Sequence, residues 1–565
     1  MNLKSFRNFL LLCALVLVAS SCNKGTSNTT GWKYNNAKYG GFQVVDNYEQ
    51  DTPPGMVLIG GGTFTMGRVN EDVYTEWNHY PRRVTVNTFY MDQYEISNRD
   101  WREYVYWMDL MYGGKVSKKC RPDSTVWRDE MAYNEPYLNY YFTHVAYDMY
   151  PVVGVTWEQA TDYCVWRTDR VNERILMENG VIDFPDFAAI YRDSSKTDND
   201  TIAKSKVFNM GKYEKVNDYT PDNEKSPITN AFGDVRKTTM NDGLMLPNFR
   251  LPTEAEWEFA AYGVESQEGM ENYDNRRIYP WDGSQTRNPQ RKSRGKIMAN
   301  YVRGRGDMMG VAGDLNDKAT ITAPVNSFWP NEYGLYNMAG NVNEWTMDVY
   351  RQTTTDELQE YNPFRGNVYL APVKDTASSY ELDNLGRLRY DFEYKKMTQD
   401  ESEVASVSSE SSEDSGEENY GDGSEESAAE QPVEEAVPEM IAANGLTHAD
   451  SVLTRLAYDK RNYNDGDARS GYDGQGGKWK DVSIDPDMAT KRLYDADDPA
   501  DPEGMLSTKI TNRTRVYKGG GWKDRAYWLS PAQRRYLEQD KCTSDIGFRC
   551  AMHRVGADRG NNAKK

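Results

Sequence analysis

Two stretches decide how the chain reads: Arg250-Leu-Pro-Thr-Glu-Ala-Glu-Trp-Glu258 and Tyr333-Gly-Leu-Tyr-Asn-Met-Ala-Gly-Asn-Val-Asn-Glu-Trp345. In the first, Thr253 precedes Glu256 by three residues. This is the pattern of a capping box, in which hydroxyl and carboxylate each satisfy a backbone N–H at a helix start. Trp257 and Phe259 then follow it inward. Upstream, Gly55-Met-Val-Leu-Ile-Gly-Gly-Gly-Thr-Phe-Thr-Met-Gly67 alternates apolar and turn-forming residues, which predicts a short strand and a tight glycine turn. Arg83 to Asp92 has the period of two of a second strand. Ser97 and Asn98 can cap a helix beginning near Arg99. Thr156 can cap another in which Trp157, Ala160, Cys164 and Val165 share one face, a stripe best read as core packing. Core burial must lean on large rings with polar handles, since the chain carries 14 Trp and 40 Tyr.

The quoted stretches resemble the signature segments of the formylglycine-generating enzyme (sulfatase-modifying factor) family. The resemblance implies an α+β, formylglycine-generating-enzyme-like (C-type-lectin-like) fold, loop-rich with short strands and few helices, here with large insertions. In that family a Gly-Gly-Ser-Trp/Tyr segment precedes two cysteines that hold copper and oxidise a substrate cysteine. Here the segment is Gly519-Gly-Gly-Trp-Lys-Asp-Arg-Ala-Tyr-Trp-Leu529, and Asp524 and Leu529 stand where the thiols should be. The thiolate is both nucleophile and soft metal ligand, and neither a carboxylate nor an isobutyl group binds Cu(I) in its place. No copper is expected, and the chain reads as a pseudoenzyme whose function must be argued apart from its fold. The resemblance also implies structural calcium, at Asn337, Gly340, Val342 and Glu344 and at Asn300, Tyr301, Asp317 and Ala319, which offer the hard oxygens that calcium takes six to eight of.

The first residues carry Lys4 and Arg7, then an apolar run from Phe9 to Ala19, then Ala19-Ser20-Ser21-Cys22. That run is too short for a spanning helix and reads as a secretory signal, residues 1–21. Small residues before Cys22 resemble the bacterial lipobox, so Cys22 is expected to carry acyl chains, followed by a flexible spacer over 22–54. An outer-membrane lipoprotein is expected, and Asn23-Lys24-Gly25 lacks the acidic run that resembles a surface-export tag in Bacteroidetes-type lipoproteins, which implies that it faces the periplasm. Four cysteines then remain, and in an exported protein these read first as two disulfides. Family members carry cysteines that resemble a bonded pair at Cys164 and Cys550, leaving Cys120 with Cys542, while other pairings stay open.

The family-like segments run through one domain, 55–553, with insertions at about 168–248 and 351–512 and a polar tail at 554–565. Glu401 to Glu439 holds about fourteen acidic groups and no Lys or Arg, so the tract 398–440 is expected to be disordered. A net charge of −20, much of it in that tract, argues against affinity for nucleic acid, because neutralising phosphates needs clustered basic residues. The four histidines, His79, His144, His448 and His553, show no metal-ligand spacing, and Gly60-Gly-Gly62 and Gly519-Gly-Gly521 lack the phosphate-loop pattern. Trp166-Arg-Thr-Asp-Arg-Val-Asn-Glu173, Tyr133-Asn-Glu-Pro-Tyr137, Tyr150-Pro-Val-Val-Gly-Val155 and Gly31-Trp-Lys-Tyr-Asn35 resemble the gliding-motility lipoproteins of Bacteroidetes. That resemblance implies a scaffold of the type IX secretion and gliding machinery, with its lipoproteins and periplasmic ring subunits as partners. The rival readings are a copper- or iron-dependent oxidase and a module that binds peptidoglycan or another glycan, for which Trp522, Tyr527 and Trp528 could line a groove.

Overall fold

Short strands separated by tight turns are what the Gly-punctuated sequence specifies, and the computed structural model has them. It describes residues 25–45, 50–67, 79–185, 187, 207–215, 226–263, 277–281, 284–304, 319–350, 361–366, 370–374, 380–382, 386–392 and 513–556. The signal peptide, Cys22, Asp317, the acidic tract and most of the 351–512 insertion lie outside them. The first glycine-rich stretch gives β1 (Met56–Ile59) and β2 (Gly62–Met66), and the next apolar stretch divides into β3 (Arg82–Val86) and β4 (Phe89–Asp92). The single strand expected over Arg83–Asp92 is therefore broken at Asn87 and Thr88. Its halves serve different sheets: β3 pairs antiparallel with β2, and β4 with β1.

Helix α1 (Asn98–Tyr112) starts at a capping box made by Ser97 and Asp100, and α2 (Trp157–Glu178) at one made by Thr156 and Gln159. Trp157, Ala160 and Cys164 are buried as expected, but Val165 is 38% exposed. Eight helical steps from Trp157 put it roughly 80° around the helix, at the edge of the stripe. The insertion expected from 168 begins inside α2. Its described part closes a small core of its own from Leu176, Val181, Phe208, Met210, Tyr213 and Met245.

Besides short helical turns, the further elements are β5 (Phe249–Arg250), α3 (Glu254–Tyr262), β6 (Asn343–Val349), a hairpin of β7 (Leu370–Pro372) and β8 (Tyr390–Phe392), then β9 (Thr514–Lys518), β10 (Arg535–Glu538), β11 (Ile546–Gly547) and β12 (Ala551–His553). One sheet has the order β1-β4-β12-β5 and a second β10-β9-β6-β11. The last strand of the chain thus lies between β4 and β5, so neither sheet is complete without the segment beyond the long insertion. Between the sheets, Trp101 stacks on Tyr163 at 5.4 Å with Phe548 edge-on to both, ring packing of the kind expected from the Trp and Tyr content. This is the loop-rich α+β arrangement with short strands and few helices that the family resemblance implied. No helix among the described residues is long and apolar enough to cross a membrane.

The stretch expected to be a flexible spacer is folded over 25–45. Its chain turns back so that Tyr34 N–H donates to the Gly25 carbonyl at 2.8 Å and Asn35 N–H to that of Phe42 at 2.9 Å. Aromatic residues at Trp32, Tyr34, Tyr39 and Phe42, which a purely flexible linker would not carry, were the signal for this.

Candidate functional site

The two fold-deciding stretches meet in the interior. Pro252 accepts at its carbonyl from Met347 N–H at 2.9 Å, and Glu254 N–H donates to Asp348 Oδ2 at 2.7 Å. Trp257 Nε1 donates to Glu344 Oε2 at 2.7 Å. The capping box forms as read: Thr253 Oγ1 accepts from Glu256 N–H, and Glu256 Oε2 from Thr253 N–H. Arg250 clamps the same carboxylate in a fork at 2.7 and 2.6 Å.

Beside this junction lies the Gly519–Leu529 segment. Gly519 and Gly520 both have positive φ, and a Cβ on Gly520 would come within 2.9 Å of the Trp528 carbonyl, so the turn that brings Asp524 round requires glycine. Asp524 is engaged within the protein. Arg535 Nη1 reaches Oδ1 at 2.7 Å and Nη2 reaches Oδ2 at 2.5 Å. Gly521 N–H and Asn343 Nδ2 complete the Oδ2 shell at 2.7 and 3.1 Å. Burial alone would raise the Asp524 pKa, but the Arg535 fork and charge hold it below the ordinary carboxylate range. The guanidinium is itself packed over Tyr517 and Trp528, at 5.0 and 4.5 Å from the ring centres. Leu529, at the other thiol position, is fully buried among Tyr279, Ile297, Ala299, Tyr301 and Ala339. An ion pair and an apolar plug occupy the two places, and neither presents a nucleophile or a soft ligand.

Three of the described thiols are poor nucleophiles. Burial pushes Cys120 and Cys542 up to about 12 and Cys550 well above its usual value. Cys164 and Cys550 face each other at 3.5 Å between sulfurs, beyond the roughly 2.05 Å of a disulfide. All four cysteines are free in this structure. Cys120 accepts from the Tyr104 hydroxyl and Cys542 lies against Asp123, so the structure brings the first expected pair together and gives the second pair separate partners. Trp522 stacks on Trp127 at 5.9 Å and packs against a layer that includes Tyr137, Tyr141, Tyr147 and Tyr150.

The first calcium set does not fit the ion as arranged. Asn337 Oδ1 is a buried oxygen without a hydrogen-bond partner, as a cation ligand would be. Glu344, however, has both oxygens committed, to Arg549 Nε and Nη2 at 2.6 Å each and to Trp257. A resident guanidinium sits on the carboxylate that calcium would need. At the second set, Asn300 Nδ2 donates to the Ile321 carbonyl, the Tyr301 hydroxyl to Thr286, and Asp317 lies outside the described residues. Thermal unfolding followed with and without excess chelator is expected at one temperature; a fall of the midpoint on chelation would show a bound divalent ion.

Three buried groups that sequence reading passed over hold this region. Glu95 accepts from Asn337 Nδ2 at 3.0 Å and Asn341 Nδ2 at 2.7 Å, and burial, then the neighbouring Glu344, push its pKa up to about 8. Its folded pKa lies above the unfolded one, so between about pH 4.5 and 8 the native state holds the extra proton and stability falls as pH rises. Glu95→Gln is therefore expected to flatten the decline of the unfolding midpoint over that window, and an unchanged slope would remove Glu95 as its source. The other two are Glu254 and Glu258. With His79 they form the one metal-type cluster among the described residues, yet Lys518 Nζ lies 3.1 and 2.7 Å from them and Arg534 2.8 Å from Glu254. Protein cations already neutralise them, and burial lowers His79 to about 4 despite Glu258 beside it, leaving a neutral imidazole. The spacing of Glu254 and Glu258 at i and i+4 was visible; that Lys518 and His79 would face them was not.

The "Sulfatase-modifying factor enzyme 1-like domain" family matches residues 41–396. The chain is 25% identical to the mouse formylglycine-generating enzyme over 363 residues, 61% of this chain and 73% of that enzyme. It is 24% identical over 321 residues to the bovine inactive C-alpha-formylglycine-generating enzyme 2, 53% of this chain and 73% of that protein. It is also 24% identical over 330 residues to the chaperone protein LppX of Paenibacillus barcinonensis, 58% of this chain and 82% of that one. The match spans well over half the chain, and the protein belongs to the sulfatase-modifying factor enzyme 1-like family.

Proposed function

We propose that the protein is a non-catalytic member of its family: an outer-membrane lipoprotein, anchored through Cys22 and facing the periplasm, that serves as a scaffold in the type IX secretion and gliding machinery. The observation that carries the non-catalytic reading is the Asp524–Arg535 pair beside buried Leu529, where copper chemistry would need two thiolates. One relative is named an inactive enzyme and another a chaperone, so the domain occurs in proteins named for roles other than oxidation. The lipobox-like Ala19-Ser20-Ser21-Cys22 supports the anchor, and the insertions supply surface that an oxidase does not need. Partners in this reading are the machinery's other lipoproteins and its periplasmic ring subunits.

Deleting the gene is expected to abolish secretion of cargo bearing the machinery's carboxy-terminal signal. A chain carrying Asp524→Asn, which keeps an amide oxygen for Arg535, should restore it, because that side chain holds structure and does no chemistry. Normal secretion in the deletion strain would end the proposed role.

A further inference from the structure

The stretch nearest Cys22 is seated on the body of the protein. Gln43 Nε2 donates to the Thr229 carbonyl at 2.7 Å, and its Oε1 accepts from Arg236 Nε at 2.8 Å. Gly41, at φ +70°, comes so close to Phe232 that a Cβ there would stand 3.0 Å from the ring. The side chain of Asn35 brackets Val44, donating to its carbonyl and accepting from its N–H.

What this seated stretch leaves outward is aromatic. Trp32 is 58% exposed, Phe42 67% and Phe232 65%. The three are linked through the turn at Gly40 and Gly41: a Cβ on Gly40 would touch Trp32, and one on Gly41 would touch Phe232. Charge points the same way. Residues 25–45 contain Lys33 and Lys38, both exposed, and no acidic residue, in a chain of net charge −20. Of the acidic residues nearby, Asp234 accepts from Asn230 Nδ2 at 3.0 Å and Asp242 pairs with Arg236; Asp46, next after Val45, lies outside the described residues. Only three peptide steps separate Cys22 from Gly25, a reach of about 10 Å when fully extended.

We propose that Trp32, Phe42 and Phe232 form a seat in the interface of the membrane that holds the Cys22 lipid, with Lys33 and Lys38 against anionic headgroups, so that the body is held at one orientation to the bilayer. The inference rests on the lipoprotein reading above. The short tether selects the occupant, because a lipid at Cys22 keeps Gly25 within about 10 Å of the bilayer surface, and the stretch turns back there so that Ser27 N–H donates to the Trp32 carbonyl at 2.8 Å. Aromatic rings are favoured at the headgroup level, and basic residues add attraction to anionic lipid.

The test uses the acylated full-length protein in vesicles of phosphatidylethanolamine and phosphatidylglycerol doped with a photoactivatable phospholipid, with labelled peptides mapped by mass spectrometry. Label is expected to concentrate in peptides covering 25–45 and 229–236. Trp32→Ser, outside the Gln43–Arg236 seat, should lower it several-fold, and Phe232→Ser should lower it independently. Acylated protein with label absent from both peptides, or unmoved by both substitutions, would overturn the seat while leaving the anchor intact. Finding no acyl chain on Cys22 would instead overturn the anchor, and with it the tether on which the seat depends.

Discussion

Replacing Arg549 by methionine is expected to destabilise the protein by about 3 to 5 kcal/mol, because removing one partner of a buried pair leaves the other charge uncompensated. Arg549 and Glu344 are both fully buried, so no solvent screens the loss. The guanidinium also donates to the carbonyls of Asp92 and Tyr336 at 3.2 and 2.8 Å. It thereby ties β4, the loop before β6 and the last strand to one carboxylate. Glu344→Gln in the same background should recover much of the loss by removing the stranded charge. Chemical denaturation of the two variants measures this. A single-variant cost under about 1 kcal/mol, the size of an exposed pair, would show that the Arg549–Glu344 contact is not the keystone it appears from its burial.

The second large effect is expected at Lys518. Its ammonium is fully buried between Glu254 and Glu258, and Lys518→Met would leave two carboxylates sharing Arg534 and a neutral His79. A cost of about 3 to 5 kcal/mol follows from the same physics. It carries a pH signature of its own. In the intact protein, burial opposes ionisation of Glu258, but Lys518 and then His79 pull its pKa down to about 2. Because the folded pKa lies below the unfolded one, its stabilising contribution is present above about pH 4.5 and is lost as pH falls towards 2. Without Lys518 that acid-side decline should shrink, and the variant and parent should converge at low pH. A constant gap between their stabilities down to pH 3 would mean that the lysine acts through packing alone.

How much of this was legible in the sequence depends on the range of the interaction. Local signals read well: the Thr253–Glu256 capping box, the Ser97 and Thr156 caps and the glycine turn before β2 are each set within a few residues, so the sequence displays them directly. The placement of Asp524 and Leu529 followed from aligned spacing. The partners that fix what those residues do did not. Arg535 lies eleven residues past Asp524, and only the β9–β10 pairing turns it back onto the carboxylate. Glu95, His79 and Lys518 come from three distant segments and acquire their roles by burial, which no local pattern reports. The calcium expectation drew on Asn337 and Glu344 as isolated ligands. Arg549, some two hundred residues on, brings its own positive charge to the same carboxylate, a pairing no local pattern displays. The spacer reading over 22–54 leaned on Gly, Ser and Asn content and underweighted Trp32, Tyr34, Tyr39 and Phe42.

The most direct test of the central claim is anaerobic titration of the purified protein with Cu(I), followed by admission of oxygen in the presence of a cysteine-containing peptide. With Asp524 held by Arg535 and Leu529 sealed in the core, no stoichiometric copper should be retained and the peptide cysteine should stay unoxidised beyond the rate of free copper. One tightly held copper per chain, with conversion of the peptide cysteine to formylglycine, would contradict it.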